Sequence, residues 1–179
     1  MRGFLLGEQD HSEMLLRGLR TAQEGRAGAK GSAEAEAKTE GGGIAFVLNC
    51  IPTPQARPRH AVMHGYSRTY KSATQVSNER TLDALLAVHA PDTPLQGAVS
   101  LEFVAVFPVP QSASGKKRRE MLDGRLHHTH KPDLDNLCKQ LKDAMTRLQF
   151  WHDDRQVTRV VCEKRYGEQG QWVVCVREM

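Results

Sequence analysis

The chain has 179 residues, 39% hydrophobic and 26% charged, a balance that calls for one folded domain with room for a terminal extension. No apolar run approaches the roughly 20 residues needed to cross a bilayer, and the patch from Phe4 to Leu6 is too short for a secretory signal core, so the expected location is the cytoplasm. The formal charge is +4, but the first 43 residues carry six Lys/Arg against seven Asp/Glu; the remaining 136 therefore hold an excess of +5, which fits a polyanionic partner such as nucleic acid.

Residues 1–20 contain Met14, Leu15, Leu16 and Leu19, enough for one stripe of a short helix but not for a helix that folds alone. Residues 21–43 offer only Ala, Gly, Ser, Thr and charged or amide side chains, with nothing large to bury against the entropy of ordering them. Residues 1–43 are thus expected to be a flexible extension and linker, and 44–179 the domain. The domain opens with a strand, Ile44 to Leu48, stopped by Pro52 and Pro54. A basic stretch follows, with Arg57, Arg59, Arg68, Tyr70 and Lys71. From about Ser72 to His89, Val76, Leu82, Leu85, Leu86 and His89 recur at helical steps before Pro91. Val99, Leu101, Phe103, Ala105 and Phe107 alternate with Ser100 and Glu102, predicting a strand with one apolar face.

After Pro108 and Pro110 the sequence reads as a polar loop, with its densest positive patch at Lys116, Lys117, Arg118 and Arg119. Pro132 sits where a helix favours a first-turn proline, and Leu134, Leu137, Leu141, Met145 and Leu148 mark one apolar face. Beyond a turn at His152 to Arg155, strand-like residues 156–166 and 171–177 flank Gly167 to Gly170 and read as a terminal hairpin. The four cysteines, Cys50, Cys138, Cys162 and Cys175, lie 88, 24 and 13 residues apart without a CxxC pair and are expected to be reduced packing residues.

The chemistry concentrates in KPDLDNLCKQLKDAM and FWHDDRQV. Asp133 and Asp135 share the exposed start of the helix, where free amides and the dipole favour anions, while Leu134 turns inward. Lys139 follows one turn along from Asp135, and Lys142 at the next step. Asp153 and Asp154 lie in the turn leaving the helix. Such a helix is about 24 Å long, so the return of that turn to the helix start is not guaranteed by spacing. If the three regions meet, their charge demands a cation, and oxygen-only donors favour Mg²⁺ or Mn²⁺ over Zn²⁺. The competing reading is structural: Asp133 caps the helix, Asp135 pairs with Lys139, and Asp153 with Asp154 shape a turn.

These two motifs, preceded by IPTPQARPRH and GYSRTYKS in the same order, resemble the RusA family of Holliday junction resolvases over residues 44–179. The resemblance implies an α+β fold, a small mixed β-sheet with helices packed on it. It also implies a Mg²⁺-dependent endodeoxyribonuclease acting as a homodimer on branched DNA, nicking four-way junctions in symmetric pairs. Asp133, Asp135 and Asp154 match the catalytic, metal-binding aspartates, and Lys139 the catalytic lysine; Asp153 is the less favoured member of its pair. Arg57, Arg59, Arg68, Tyr70, Lys71 and the Lys116–Arg119 patch become candidate DNA contacts. Gln55 departs from the family, where many relatives carry a lysine.

Other features have plainer readings. His127, His128 and His130 lack a paired Cys or Glu at zinc-site spacing and are expected to be a solvated basic loop. Phe150 and Trp151 are expected in the core rather than stacked on a base. Two rivals stand beside the nuclease: a noncatalytic branched-DNA-binding module, and a glycosyltransferase reading of DLD for which the chain is short.

Overall fold

A computed structural model describes residues 37–39, 43–55, 59–63, 66–70 and 72–179, with only the backbone given for 37–39, 59–63 and 66–70. Among the described residues seven strands and three α-helices follow one another as β1 (Ala37–Thr39), β2 (Gly43–Leu48), β3 (Arg59–Met63), β4 (Tyr66–Tyr70), α1 (Ala73–Ala87), β5 (Val99–Pro108), α2 (Gly115–Leu122), α3 (Leu134–Arg147), β6 (Val157–Gly167) and β7 (Gln171–Glu178). The class is α+β with a mixed sheet, as the resemblance implies. Five strands form that sheet in the order β1-β2-β7-β5-β6, and β3 pairs with β4 as a separate antiparallel ribbon.

Most elements follow from local sequence. Ser72 caps α1 by accepting from the Gln75 amide at 3.2 Å, and Leu82 and Leu86 bury its inner face. On α3, Leu137, Leu141, Ala144 and Met145 are fully buried, joining Phe46, Leu101, Phe103, Phe150, Trp151 and Trp172 in one core between the sheet and the two long helices. Phe150 and Trp151 are core residues, as expected; the Trp151 indole donates to Thr146 Oγ1 at 2.7 Å.

Five expectations need correcting. First, the terminal strands are not a hairpin. β6 runs parallel to β5 on one side, and β7 runs antiparallel to β5 on the other, inserted between β5 and β2. The 168–170 connection therefore crosses over the end of β5. Gly167 marks the crossing: a Cβ there would lie 2.5 Å from Val106 Cγ1, and its carbonyl accepts from the Val109 amide at 3.0 Å. Second, β5 is buried on both faces, because β7 and β6 flank it. Val104 and Val106 pack with Val173 behind it, and Ser100 and Glu102 are 1% and 3% exposed rather than facing water. The Glu102 carboxylate survives there because Arg159 and Arg177 from the two flanking strands both donate to it.

Third, the polar loop contains α2, capped by Ser114 and without one buried residue. No apolar stripe announces it, so periodicity along the chain does not reveal it. Fourth, Pro132 precedes the helix instead of opening it: Asp133 is the N-cap and Leu134 the first helical residue, with the Lys131–Pro132 peptide cis. Fifth, Ala37–Thr39, inside the stretch read as linker, pair with Thr39↔Gly43 to Ala37↔Ala45 along β2. Strand pairing satisfies backbone groups and needs no large side chain. Among the described residues no helix is long and apolar enough to cross a membrane.

Candidate active site

Asp133 and Asp135 stand on the exposed first turn of α3. Asp133 occupies the N-cap position with extended backbone, φ −74° and ψ 146°, yet its side chain makes no capping hydrogen bond. Neither carboxylate has a hydrogen-bond or ion-pair partner among the described residues. The structural alternative for this pair therefore loses both its bonds, since Lys139 leans toward Asp143, 4.0 Å away, and not toward Asp135. Beside Asp133 opens a cavity of about 410 Å³ lined by Pro54, Gln55, Lys131, Pro132, Asp133 and Asn136. Its far wall is held against α3 by Gln55, whose amide donates to the Asn136 carbonyl at 3.2 Å and whose side-chain nitrogen donates to Asp143 Oδ2 at 2.7 Å.

The second acidic stretch comes back to the helix, but to its middle. Asp154 Oδ2 lies 3.7 Å from Lys142 Nζ, and Lys142 is seven residues, about 10 Å of helical rise, past Asp135. Asp153 is committed to the turn: it accepts from the Arg155 amide and guanidinium, both at 2.9 Å, and forms a capping box with Gln156. Its bond to the Arg155 side chain holds its carboxyl below the usual range. Gln156 in turn donates to the carbonyls of Leu95, Gln96 and Gly97 at 2.8, 3.0 and 3.1 Å, locking the turn to the start of β5. Asp154, the one of the two singled out, keeps its carboxylate outside that lock.

Among the described residues no group of three or more His, Cys, Asp or Glu side chains is close enough to hold a metal ion. Asp133 and Asp135 nevertheless fit a hard cation, because two partnerless carboxylates with open solvent around them are the protein share of a common Mg²⁺ site, whose remaining positions go to water and phosphate oxygens. Mn²⁺ takes the same donor set.

The candidate DNA contacts divide. Lys116, Lys117, Arg118 and Arg119 lie on α2, all exposed, with Arg118 paired to Glu168 in the turn before β7. Arg59, Arg68 and Tyr70 lie on β3 and β4, where only the backbone is described, and Arg57 and Lys71 lie outside the described residues. In the histidine loop, His127 and His130 are exposed as expected. His128 departs from that reading: its ring stacks on Phe107 at 4.3 Å and leans on Tyr166 at 4.8 Å. Burial, and then the Lys164 charge, push its imidazole below its ordinary pKa. Sequence reading also misses Asp143 and Lys164 as neighbours of the site, and singles out Gln55 only as a departure from the family. The 88-residue separation between Gln55 and Asp143 leaves no local signal for such a contact.

The fold is thus an α+β sheet protein that presents a pair of unpaired acids at one helix start and, on a separate element, an exposed cationic helix. The match to known proteins is specific: residues 50–177 fit the family model described as endodeoxyribonuclease RusA. The "Crossover junction endodeoxyribonuclease rusA" of Lactococcus phage r1t is 37% identical over 134 residues, covering 75% of this chain and 95% of that protein. The "Uncharacterized protein YqaN" of Bacillus subtilis (strain 168) is 33% identical over 138 residues, covering 76% and 96%. The chain belongs to the RusA family of endodeoxyribonucleases.

Proposed function

We propose that this protein is a cytoplasmic, structure-selective endodeoxyribonuclease that resolves Holliday junctions and related branched DNA by paired symmetric nicks. The observation that carries the reading is the Asp133–Asp135 pair, two carboxylates in the family motif, exposed and committed to no structural bond. Asp133 and Asp135, with Asp154 released to them from its contact with Lys142, would hold Mg²⁺, with Mn²⁺ as a substitute. When bound there, the ion would supply an activated water and stabilisation of the charge developing on the phosphodiester. Lys139, 64% exposed at its side chain and only loosely held by Asp143, swings toward the scissile phosphate and neutralises it. Lys116, Lys117 and Arg119 of α2 and the basic residues of β3 and β4 take phosphates along the arms, so selection rests on junction shape rather than on base sequence. A homodimer supplies two such sites related by a two-fold axis, matching a nearly two-fold junction and accounting for paired nicks. β6 is a sheet edge of eleven residues and is the surface on which a second copy can pair.

The test is cleavage of a synthetic four-way junction in Mg²⁺, with a linear duplex as control. Wild type nicks the junction, and Asp135→Asn loses at least ~100-fold in rate while binding the junction as well or better, since asparagine keeps the size and removes a charge that repels phosphate. Full activity in the variant would reject the assigned chemistry.

A second reading, a noncatalytic branched-DNA-binding module, is favoured by the engagement of Asp154 with Lys142. It predicts salt-sensitive junction binding and no nicking under any divalent ion.

A further inference from the structure

The segment that delivers Asp133 to its place is almost without anchors of its own. Residues 127–132 make no backbone–backbone hydrogen bond among the described residues, and His127, Thr129, His130 and Lys131 are exposed. Apart from the stacking of His128 on Phe107 of β5, what holds the segment comes from one side of β6. The Lys164 ammonium donates to the His130 carbonyl and to the Pro132 carbonyl, both at 2.9 Å, bracketing the peptide immediately before Asp133. Two residues along the same face, Tyr166 leans on the His128 ring. Two residues the other way, Cys162 packs at the core beside Cys138 of α3. In register these three sit opposite Phe103, Ala105 and Phe107 of β5, so their side chains leave the sheet on the side that carries α3.

From this geometry we propose that Lys164 is a positioning residue of the nuclease site, a cationic staple that sets where Asp133 and Asp135 stand by holding the carbonyls on either side of Lys131. The inference rests on the function proposed above and adds to it a residue 29 positions beyond Asp135, on a different element. The bonds suit the task. A flexible ammonium can satisfy two carbonyls at once, and charge-assisted bonds are stronger than neutral ones. An aspartate pair displaced by an ångström would still fold and still be exposed, but would share an ion poorly.

The experiment uses the full chain, comparing wild type with Lys164→Met and with Lys164→Gln, which is too short to bridge both carbonyls. Mn²⁺ alone, without DNA, is titrated by calorimetry, and the junction is then cleaved under single-turnover conditions with its Kd measured at the same salt. Both variants are expected to keep the wild-type far-ultraviolet circular dichroism, to bind Mn²⁺ about tenfold more weakly, and to cleave about 10–100-fold more slowly with an unchanged junction Kd. Wild-type Mn²⁺ affinity in either folded variant overturns the proposal. So does a weakened junction Kd with a normal saturated rate, which would make Lys164 a phosphate contact instead. A wild-type protein that binds Mn²⁺ and cleaves no junction defeats the resolvase reading alone, leaving Lys164 to be judged on the Mn²⁺ titration; a wild type that binds no Mn²⁺ defeats both.

Discussion

Asp133 sits at a position where an acidic side chain usually stabilises a helix, and it leaves the bond unmade. Removing a bonded N-cap typically costs about 1 kcal/mol; here only the interaction of the charge with the helix end is removed, so Asp133→Ala is expected to cost about 0.5 kcal/mol in urea denaturation. Its junction cleavage should fall at least ~100-fold, the scale of removing a charge that acts on the transition state. A stability loss of the usual size or more would show that the carboxylate serves the fold after all. Asp153, one residue from Asp154, shows the opposite allocation: its oxygens are spent on Arg155 and the turn. Of the two, Asp154 is therefore the one proposed to act at the site, because its carboxylate is not used by the turn. Three of the four thiols are kept protonated in the same local sense: burial pushes Cys162 up to about 11 and raises Cys138 and Cys175 as well, which suits packing residues rather than nucleophiles.

At the scale of elements, α2 is a helix that buries nothing and carries four consecutive cations. One of them, Arg118, is occupied with Glu168, which leaves Lys116, Lys117 and Arg119 as the phosphate contacts of the proposed function. Replacing these three with Gln is expected to leave thermal stability within about 0.5 kcal/mol of wild type, as for surface sites generally. The slope of log Kd against log salt for junction binding should become shallower by about 2–3, near 0.9 for each phosphate that is no longer neutralised. An unchanged slope would remove α2 from the DNA surface. Elsewhere the elements cross-brace the site. Arg147 near the end of α3 pairs with Asp83 of α1 at 2.7 Å, and the three carbonyl bonds of Gln156 pin the acidic turn to the entry of β5.

For the whole molecule, the edge of the sheet decides how much of the N-terminal stretch is dispensable. β1 covers β2, so a chain lacking residues 1–36 is expected to cleave junctions and melt like the full protein. One lacking residues 1–43 uncovers the β2 edge and should aggregate more readily, seen by light scattering at equal concentration. Equal behaviour of the two truncations would deny β1 that role. Stability should also depend on pH through His128. Its folded pKa is depressed, so on acidification the unfolded chain takes up the proton first, near 6.5, and folding free energy is lost as pH falls below that value. The urea midpoint is expected to drop between about pH 7.5 and 5.5, and to drop less in His128→Asn.

What the sequence determined by itself was local. The 3- and 4-residue steps of α3, the alternation in β5 and the acid-rich helix start are repeats and spacings that each segment carries within itself, and so is the motif order that marks the RusA family. What only the tertiary structure decided was which segments meet. A strand pattern does not name its partner, so β7 was free to leave β6 and enter the sheet between β2 and β5. A buried Glu102 is intelligible only once Arg159 and Arg177 arrive from two other strands. The grip of Lys164 on the residues before Asp133 spans 34 and 32 positions of chain. Contacts of that range depend on how elements pack in three dimensions, and no periodicity along the chain encodes them.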